Sequence, residues 1–258
     1  MTRSITLPAF AHRIITRALD LVLPPRCLSC GTEVSETGAL CPTCWHGVAW
    51  IAPPLCAICG LPFEFDPGLS GASDRLVCGS CARRRPAFDR ARAVFRYDDS
   101  SKRLVLGFKH ADRTHAAPAF GRWLERAGVE LLQDADLVAP VPLHWTRLAL
   151  RRYNQAALLA HASARAARSP CVADLLVRIR RTPTQGALGR SARWRNVSRA
   201  FAVNPRHLAR VKGARVLLID DVLTTGATVN SCTRTLRAAG ARGVDVLTLA
   251  RVVRPETA

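Results

Sequence analysis

The stretch Val216–Cys232, VLLIDDVLTTGATVNSC, runs four aliphatic residues into two adjacent aspartates, Asp220 and Asp221, and then into a small hydroxyl-rich turn. Neighbouring like charges repel, and a turn that merely leaves a sheet has no use for an acidic pair. The apolar run reads as a buried strand and Gly226-Ala227-Thr228 as the opening of a helix. Amides at a helix start, with the hydroxyls of Thr224, Thr225 and Thr228, make an anion cradle. Gly226 and Ala227 keep bulk away from the anion. Two carboxylates within one sugar's width of that cradle are suited to accept hydrogen bonds from paired hydroxyls. The combination points to a phosphorylated sugar. A direct grip of the aspartates on Mg²⁺ is the competing use of the same carboxylates, and an N-capped helix after a strand is the purely structural one. A Walker loop is excluded, because no GxxxxGK[ST] occurs.

Eight of the ten cysteines carry a second chemistry. Cys27 and Cys30 with Cys41 and Cys44 form one pair of CxxC knuckles, and Cys56 and Cys59 with Cys78 and Cys81 form another. A two-residue gap lets both sulfurs of a knuckle address one tetrahedral ion, so each pair completes a closed four-thiolate zinc site that serves folding rather than catalysis. Gly31 and Gly60 follow knuckles and suit their tight turns. A disulfide framework would need an oxidising compartment and leaves four CxxC repeats unexplained. Cys171 and Cys232 stand alone and read as small buried hydrophobes.

A third segment, RIRRTPTQGALGRSARWRNVSR from Arg178 to Arg199, holds seven arginines, two glycines and no carboxylate. Guanidinium forks could clamp a polyphosphate there while the glycines let the loop close. A solvated basic loop or a nucleic-acid contact is the alternative.

These groups need elements to position them. After the basic run ARRRPAFDR, strands and helices alternate. ARAVFRY, ADLVAPVPL, GARVLLID and GVDVLTLARVV read as strands, and VADLLVRI as strand-like. SSKRLVLGFKHAD, HAAPAFGRWLERAGVELLQ, RLALRRYNQAALLAHASARAA and GATVNSCTRTLRAAG read as helices, the last closed by Gly240. This alternation predicts an α/β fold with a parallel sheet flanked by helices, with ligands at the carboxyl ends of the strands. Three parts are expected: an amphipathic helix over 1–23, a double zinc-ribbon domain over 24–84 and the sheet domain over 90–254.

The 258-residue chain has a hydrophobic content of 48%, which excludes wholesale disorder. No run approaches a membrane span. Arg13, Arg17 and Asp20 break the N-terminal apolar stretch, and no cleavage site follows, so an export signal is not expected and a cytoplasmic location is. The N-terminal helix would pack on its own protein or lie on the inner face of the membrane. A formal charge of +19, with 38 basic residues, attracts polyanions such as single-stranded DNA, although Arg spread along an Ala-rich chain also fits biased codon usage.

VLLIDDVLTTGAT resembles the phosphoribosyl-pyrophosphate (PRPP) motif of type I phosphoribosyltransferases. From Pro24 to Val253 the chain resembles the ComF family of bacterial competence proteins, a double zinc ribbon joined to such a domain, also through PPRCLSCG, VPLHWTRLALRRYNQAALLA and RRTPTQGALGRSARWRNVSRAFAV. The resemblance implies that Asp220 and Asp221 face the ribose hydroxyls and that residues Thr224, Thr225, Gly226, Ala227 and Thr228 hold the 5′-phosphate. It brings Val141 to His144 towards the pyrophosphate and matches Arg151, Asn154, Gln155 and Lys109 to PRPP-binding positions. Arg152-Tyr153 stand where Gly-Phe is commoner. Arg181, Gln185, Arg190, Arg193 and Asn196 match the family's catalytic arginine-rich pattern. The implied ligands are Mg²⁺ with PRPP and two zinc ions. The implied activity is phosphoribosyl transfer, with no acceptor pocket or general base readable. The implied setting is DNA uptake with other competence proteins, and a non-catalytic DNA-handling role is the alternative.

Overall fold

The protein's computed structural model describes residues 24–64, 76–110, 113–146, 148, 153–180, 190–197 and 199–253. The expected N-terminal helix over 1–23 lies outside them. The aliphatic runs form strands: β1 (Ala91–Arg96), β2 (Leu137–Pro140), β3 (Leu176–Arg178), β4 (Phe201–Val203), β5 (Arg215–Leu223) and β6 (Gly243–Arg251). Four of them make a wholly parallel sheet in the order β1-β6-β5-β2. β5 and β6 hold its centre, where apolar residues on both faces escape water.

Strand alternation divides those residues between two cores. Val216, Leu218, Val244 and Val246 face a cluster that includes Leu236, Val229, Phe88, Cys56 and Leu61. Leu217, Ile219, Leu247 and Leu249 are equally buried on the other face.

The described helices are α1 (Pro42–Gly47), α2 (Gly79–Arg83), α3 (Asp99–His110), α4 (Ala117–Ala127), α5 (Val129–Asp134), α6 (Gln155–Ala167), α7 (Arg190–Val197), α8 (Leu208–Val211) and α9 (Ala227–Ala238). α4 and α6 touch closely at Gly121, where a Cβ would sit 2.6 Å from the Ala162 Cβ. Three expectations change in detail. The helix expected over 115–133 breaks into α4 and α5 at Gly128, whose backbone (φ −132°, ψ 34°) is not helical. A Cβ there would lie 2.7 Å from Leu247 Cδ1, so the chain bends where it crosses the sheet. Of the helix expected from residue 147, α6 spans Gln155–Ala167. Asn154 is extended and its side chain accepts from the Ala156 amide, an N-cap. The strand-like VADLLVRI touches the sheet only at its start, where the Val172 amide donates to the Val138 carbonyl, and its strand β3 then pairs antiparallel with β4.

By compactness the chain divides into residues 1–47 and 48–258. The first unit holds the first cysteine set and α1. The second holds the sheet together with the second cysteine set, which lies in the same buried cluster as β5 and β6.

Candidate functional site

In both cysteine sets the four Sγ atoms lie within 4.8 Å of one another. The Cys30–Cys41 and Cys59–Cys78 sulfur pairs are each 3.7 Å apart, and none of the eight cysteines is in a disulfide. Backbone amides turn towards the sulfurs, Cys41 N to Cys27 Sγ at 3.3 Å and Cys78 N to Cys56 Sγ at 3.3 Å. The Thr32 hydroxyl, 3.2 Å from Cys30 Sγ, heads the contacts that hold that thiol down to about 6. Donor type, number and convergence fit zinc in each set. Gly31 (φ +81°) and Gly60 (φ +66°) make the expected knuckle turns. Gly60 also lies against β1, where a Cβ would meet the Ala91 carbonyl at 2.3 Å.

The acidic pair sits inside β5, which continues through it to Leu223. Successive strand positions address opposite faces. Asp221 meets α3, where Lys109 Nζ lies 2.7 Å from its Oδ2. Asp220 feels the charges of Lys109 and Arg178, and the buried Cys232 thiol in turn feels that of Asp220. Burial, reinforced by the Asp221 charge, pushes the Asp220 carboxyl up to about 7. Burial opposes the charge on Lys109, but Asp221 outweighs it and lifts the ammonium above its ordinary range.

Beyond Leu223 the chain turns at Gly226 (φ +73°, ψ 2°), a left-handed conformation that L side chains resist, and enters α9. Asn230 braces the turn. Its Nδ2 donates to the Gly226 carbonyl at 2.7 Å and its Oδ1 accepts from the Ala87 amide at 2.5 Å. Among the described residues, the amides of Thr224, Thr225 and Gly226 donate to no protein acceptor. The Thr225 hydroxyl is buried without a partner. The turn therefore presents donors that the fold leaves to be completed, as an anion site requires.

Residues 18–82 match the family model of the double zinc ribbon domain, and residues 155–256 match the phosphoribosyl transferase domain. The chain is 30% identical over 240 residues to the DNA utilization protein YhgH of Salmonella typhimurium, covering 90% of this chain and 100% of that protein. The chain belongs to the ComF family. It is 29% identical over 237 residues to Competence protein F of Haemophilus influenzae, covering 88% of this chain and 96% of that one. With Competence protein ComFC of Bacillus subtilis it shares 26% over 253 residues, 94% and 91% of the two chains. Solved structures overlap less. The phosphoribosylpyrophosphate synthetase of Mycobacterium smegmatis gives a TM-score of 0.33 at 17% identity, over 53% of this chain and 34% of that one, so this chain spans about a third of its length. The orotate phosphoribosyltransferase of Aeropyrum pernix gives 0.31 at 19%, over 62% and 80%. Overlaps this low carry no functional weight.

In this ComF chain the remaining candidate residues fall into three groups. Asn154 and Gln155 support the site from behind. Asn154 Nδ2 donates to the Val141 carbonyl at 3.2 Å, and Gln155 Nε2 donates to the carbonyl of Lys109 at 3.1 Å. Val141 extends the β2–β5 ladder through a bond to Ile219, and the buried His144 meets the Thr146 hydroxyl at 2.9 Å. Arg190, Arg193 and Asn196 lie on α7, where the Asn196 carbonyl accepts from Arg180. Arg151, Arg181 and Gln185 lie outside the described residues. Cys232 is buried and Cys171 half-buried, its thiol pushed up to about 11 by desolvation. Sequence reasoning missed Asn230, Trp194, Arg84 and Arg234. The Asn at the fourth position after Gly226 was a readable signal, because it falls one helical turn beyond the glycine.

Proposed function

We propose that this chain binds PRPP, or a related phosphoribosyl compound, with Mg²⁺ at the carboxyl edge of the sheet, and serves in handling DNA taken up by the cell. The observation that carries the reading is the turn after β5, with its uncommitted amides and orphaned Thr225 hydroxyl beside two carboxylates. In this reading Thr224 to Thr228 hold the 5′-phosphate, and Asp220 and Asp221 accept from the ribose hydroxyls. Lys109 pairs with Asp221, while Asn154 and Gln155 position the strand end and Lys109. Arg151, Arg181, Arg190 and Arg193 neutralise the pyrophosphate, and Gln185 and Asn196 hydrogen-bond to it. Mg²⁺ arriving with the pyrophosphate supplies further charge neutralisation. Transfer breaks the bond from C1′ to pyrophosphate, whose oxygen keeps the electron pair, and a nitrogen acceptor adds to C1′ and sheds its proton. The protein contributes position and electrostatics. The relatives named for competence and DNA utilization supply the cellular setting.

Calorimetric titration with Mg·PRPP tests this. Wild type is expected to bind, and Asp220→Asn/Asp221→Asn to bind roughly a hundred-fold more weakly, the scale of two charge-assisted hydrogen bonds. Absence of binding in both proteins, or equal binding, overturns the reading. Pyrophosphate release with nucleobases and ammonia then separates turnover from binding alone. The second reading is a non-catalytic single-stranded DNA-handling protein that uses its zinc ribbons and basic surface, and the arginines gathered near the turn support it. It predicts DNA affinity that falls steeply with salt.

A further inference from the structure

Within the 48–258 unit a cavity of about 770 Å³ opens beside the phosphate turn, inside the roughly 300–1,000 Å³ range of small-ligand sites. Its walls include Thr224, Thr225 and Gly226 of the turn, Cys59 and Cys81 of the second metal set, and Trp194 of α7. Arg83, Arg84, Arg85, Arg234 and Arg251 line it, and no lining residue is acidic. Elsewhere in the fold arginines are matched to carboxylates, as in Arg90 with Asp134 and Asp245, Arg215 with Asp245, and Arg242 with Asp136. Among the described residues, Arg83, Arg84, Arg85 and Arg234 have no carboxylate partner, whereas Arg251 donates to the carbonyl and the Sγ of Cys59. Arg251 Nε is buried without a hydrogen-bond partner, like the Thr225 hydroxyl on the same cavity wall.

The cavity also has an aromatic centre. The Arg84 and Arg234 guanidinium carbons each lie 5.5 Å from the Trp194 ring centroid, within cation–π range. Both arginines are exposed, and Trp194 is half-buried. Unpaired guanidinium forks on an indole recognise a planar π-system that carries negative charge.

We infer that this cavity binds a nucleotide, with the base on Trp194 and the phosphate on the surrounding arginines. An arriving base displaces one guanidinium from the ring, and that guanidinium is then available to the phosphate. The inference goes beyond the phosphoribosyl reading, because neither Asp220 nor Asp221 lines the cavity. A free mononucleotide and the end of a single strand offer the same base-and-phosphate unit, and the test separates them.

Zinc-loaded full-length protein is titrated with dTMP, with 5′-phosphorylated hexathymidylate, and with a duplex containing that hexamer. Binding of dTMP or the hexamer is expected to weaken roughly tenfold or more in Trp194→Ala, the scale of one lost base–aromatic stack, and to be largely kept in Trp194→Phe. Arg84→Ala/Arg234→Ala, at exposed positions outside the core, is expected to weaken binding and flatten its salt dependence. Affinity for Mg·PRPP stays unchanged in all three variants. Hexamer tighter than dTMP assigns the site to a strand end, and equal affinities assign it to a free nucleotide. Binding of neither probe, duplex binding as tight as the hexamer, or affinity unmoved by both the Trp194→Ala and the double-arginine change overturns the inference. Probe binding by a wild type that ignores Mg·PRPP leaves this site standing and removes the phosphoribosyl one.

Discussion

Lys109 on α3 and Asp221 on β5 meet at 2.7 Å, their side chains 25% and 14% exposed, whereas Asp220 has no cation in ion-pairing range among the described residues. One residue's difference in position therefore separates a paired carboxylate from an unpaired one. Lys109→Met leaves Asp221 beside Asp220 with no counter-charge. It should cost about 1–3 kcal/mol in denaturant unfolding, between the values for exposed and buried pairs. Because Lys109 also draws the Asp220 carboxyl down, its removal should move that group above about 7, as a carboxyl titration followed by NMR would show. A neutral substitution with no change in either measurement would mean that the pair is ornamental.

Asp220 makes stability depend on pH in a defined direction. Its carboxyl titrates at about 7 in the folded chain, against ~3.9 unfolded. The folded state therefore binds the proton more tightly, and stability falls as pH rises from about 4 to about 7. Asp220→Asn should flatten that decline and exceed wild type above pH 7 by roughly 1–3 kcal/mol. Thermal melts at pH 5 and pH 8 measure it. A wild type that gains stability across the window through this residue would contradict the geometry.

The two cysteine sets should differ in what they stabilise. Cys59→Ser opens the set that shares a buried cluster with β5 and β6, so zinc loss there should cost the sheet-bearing unit more than about 3 kcal/mol. Cys30→Ser opens the set in the 1–47 unit and should leave the other unit within about 0.5 kcal/mol of wild type. Zinc content should drop by one ion in each variant. Hydrogen exchange of β5 and β6 separates the two cases, and equal exchange in both variants would defeat the distinction.

Local signals in the chain were enough for the four parallel strands, because uninterrupted runs such as VLLI have no other economical place than a covered sheet. The cysteine spacing foretold both sets for a similar reason, since a CxxC gap constrains its own geometry. What escaped reading depends on partners distant in the chain. The break at Gly128 follows from Leu247, more than a hundred residues away. The departure of β3 from the sheet follows from its pairing with β4, which periodicity within 172–179 does not reveal. The acidic pair was recognised, but not the continuation of β5 through it that turns the two carboxylates to different faces. Trp194, Arg84 and Arg234 come from three separate segments and meet only in the folded chain.

Arg251, the last residue of β6, donates to the carbonyl of Cys59, and Leu61 is sealed beneath the same layer as Val216 and Val246. A shortened chain beginning near residue 90 would strip that layer of its lid and invite precipitation. Any recombination that transplants the sheet onto another architecture must therefore carry residues from about 48 onward, so the heritable module starts between the two ribbons rather than after them.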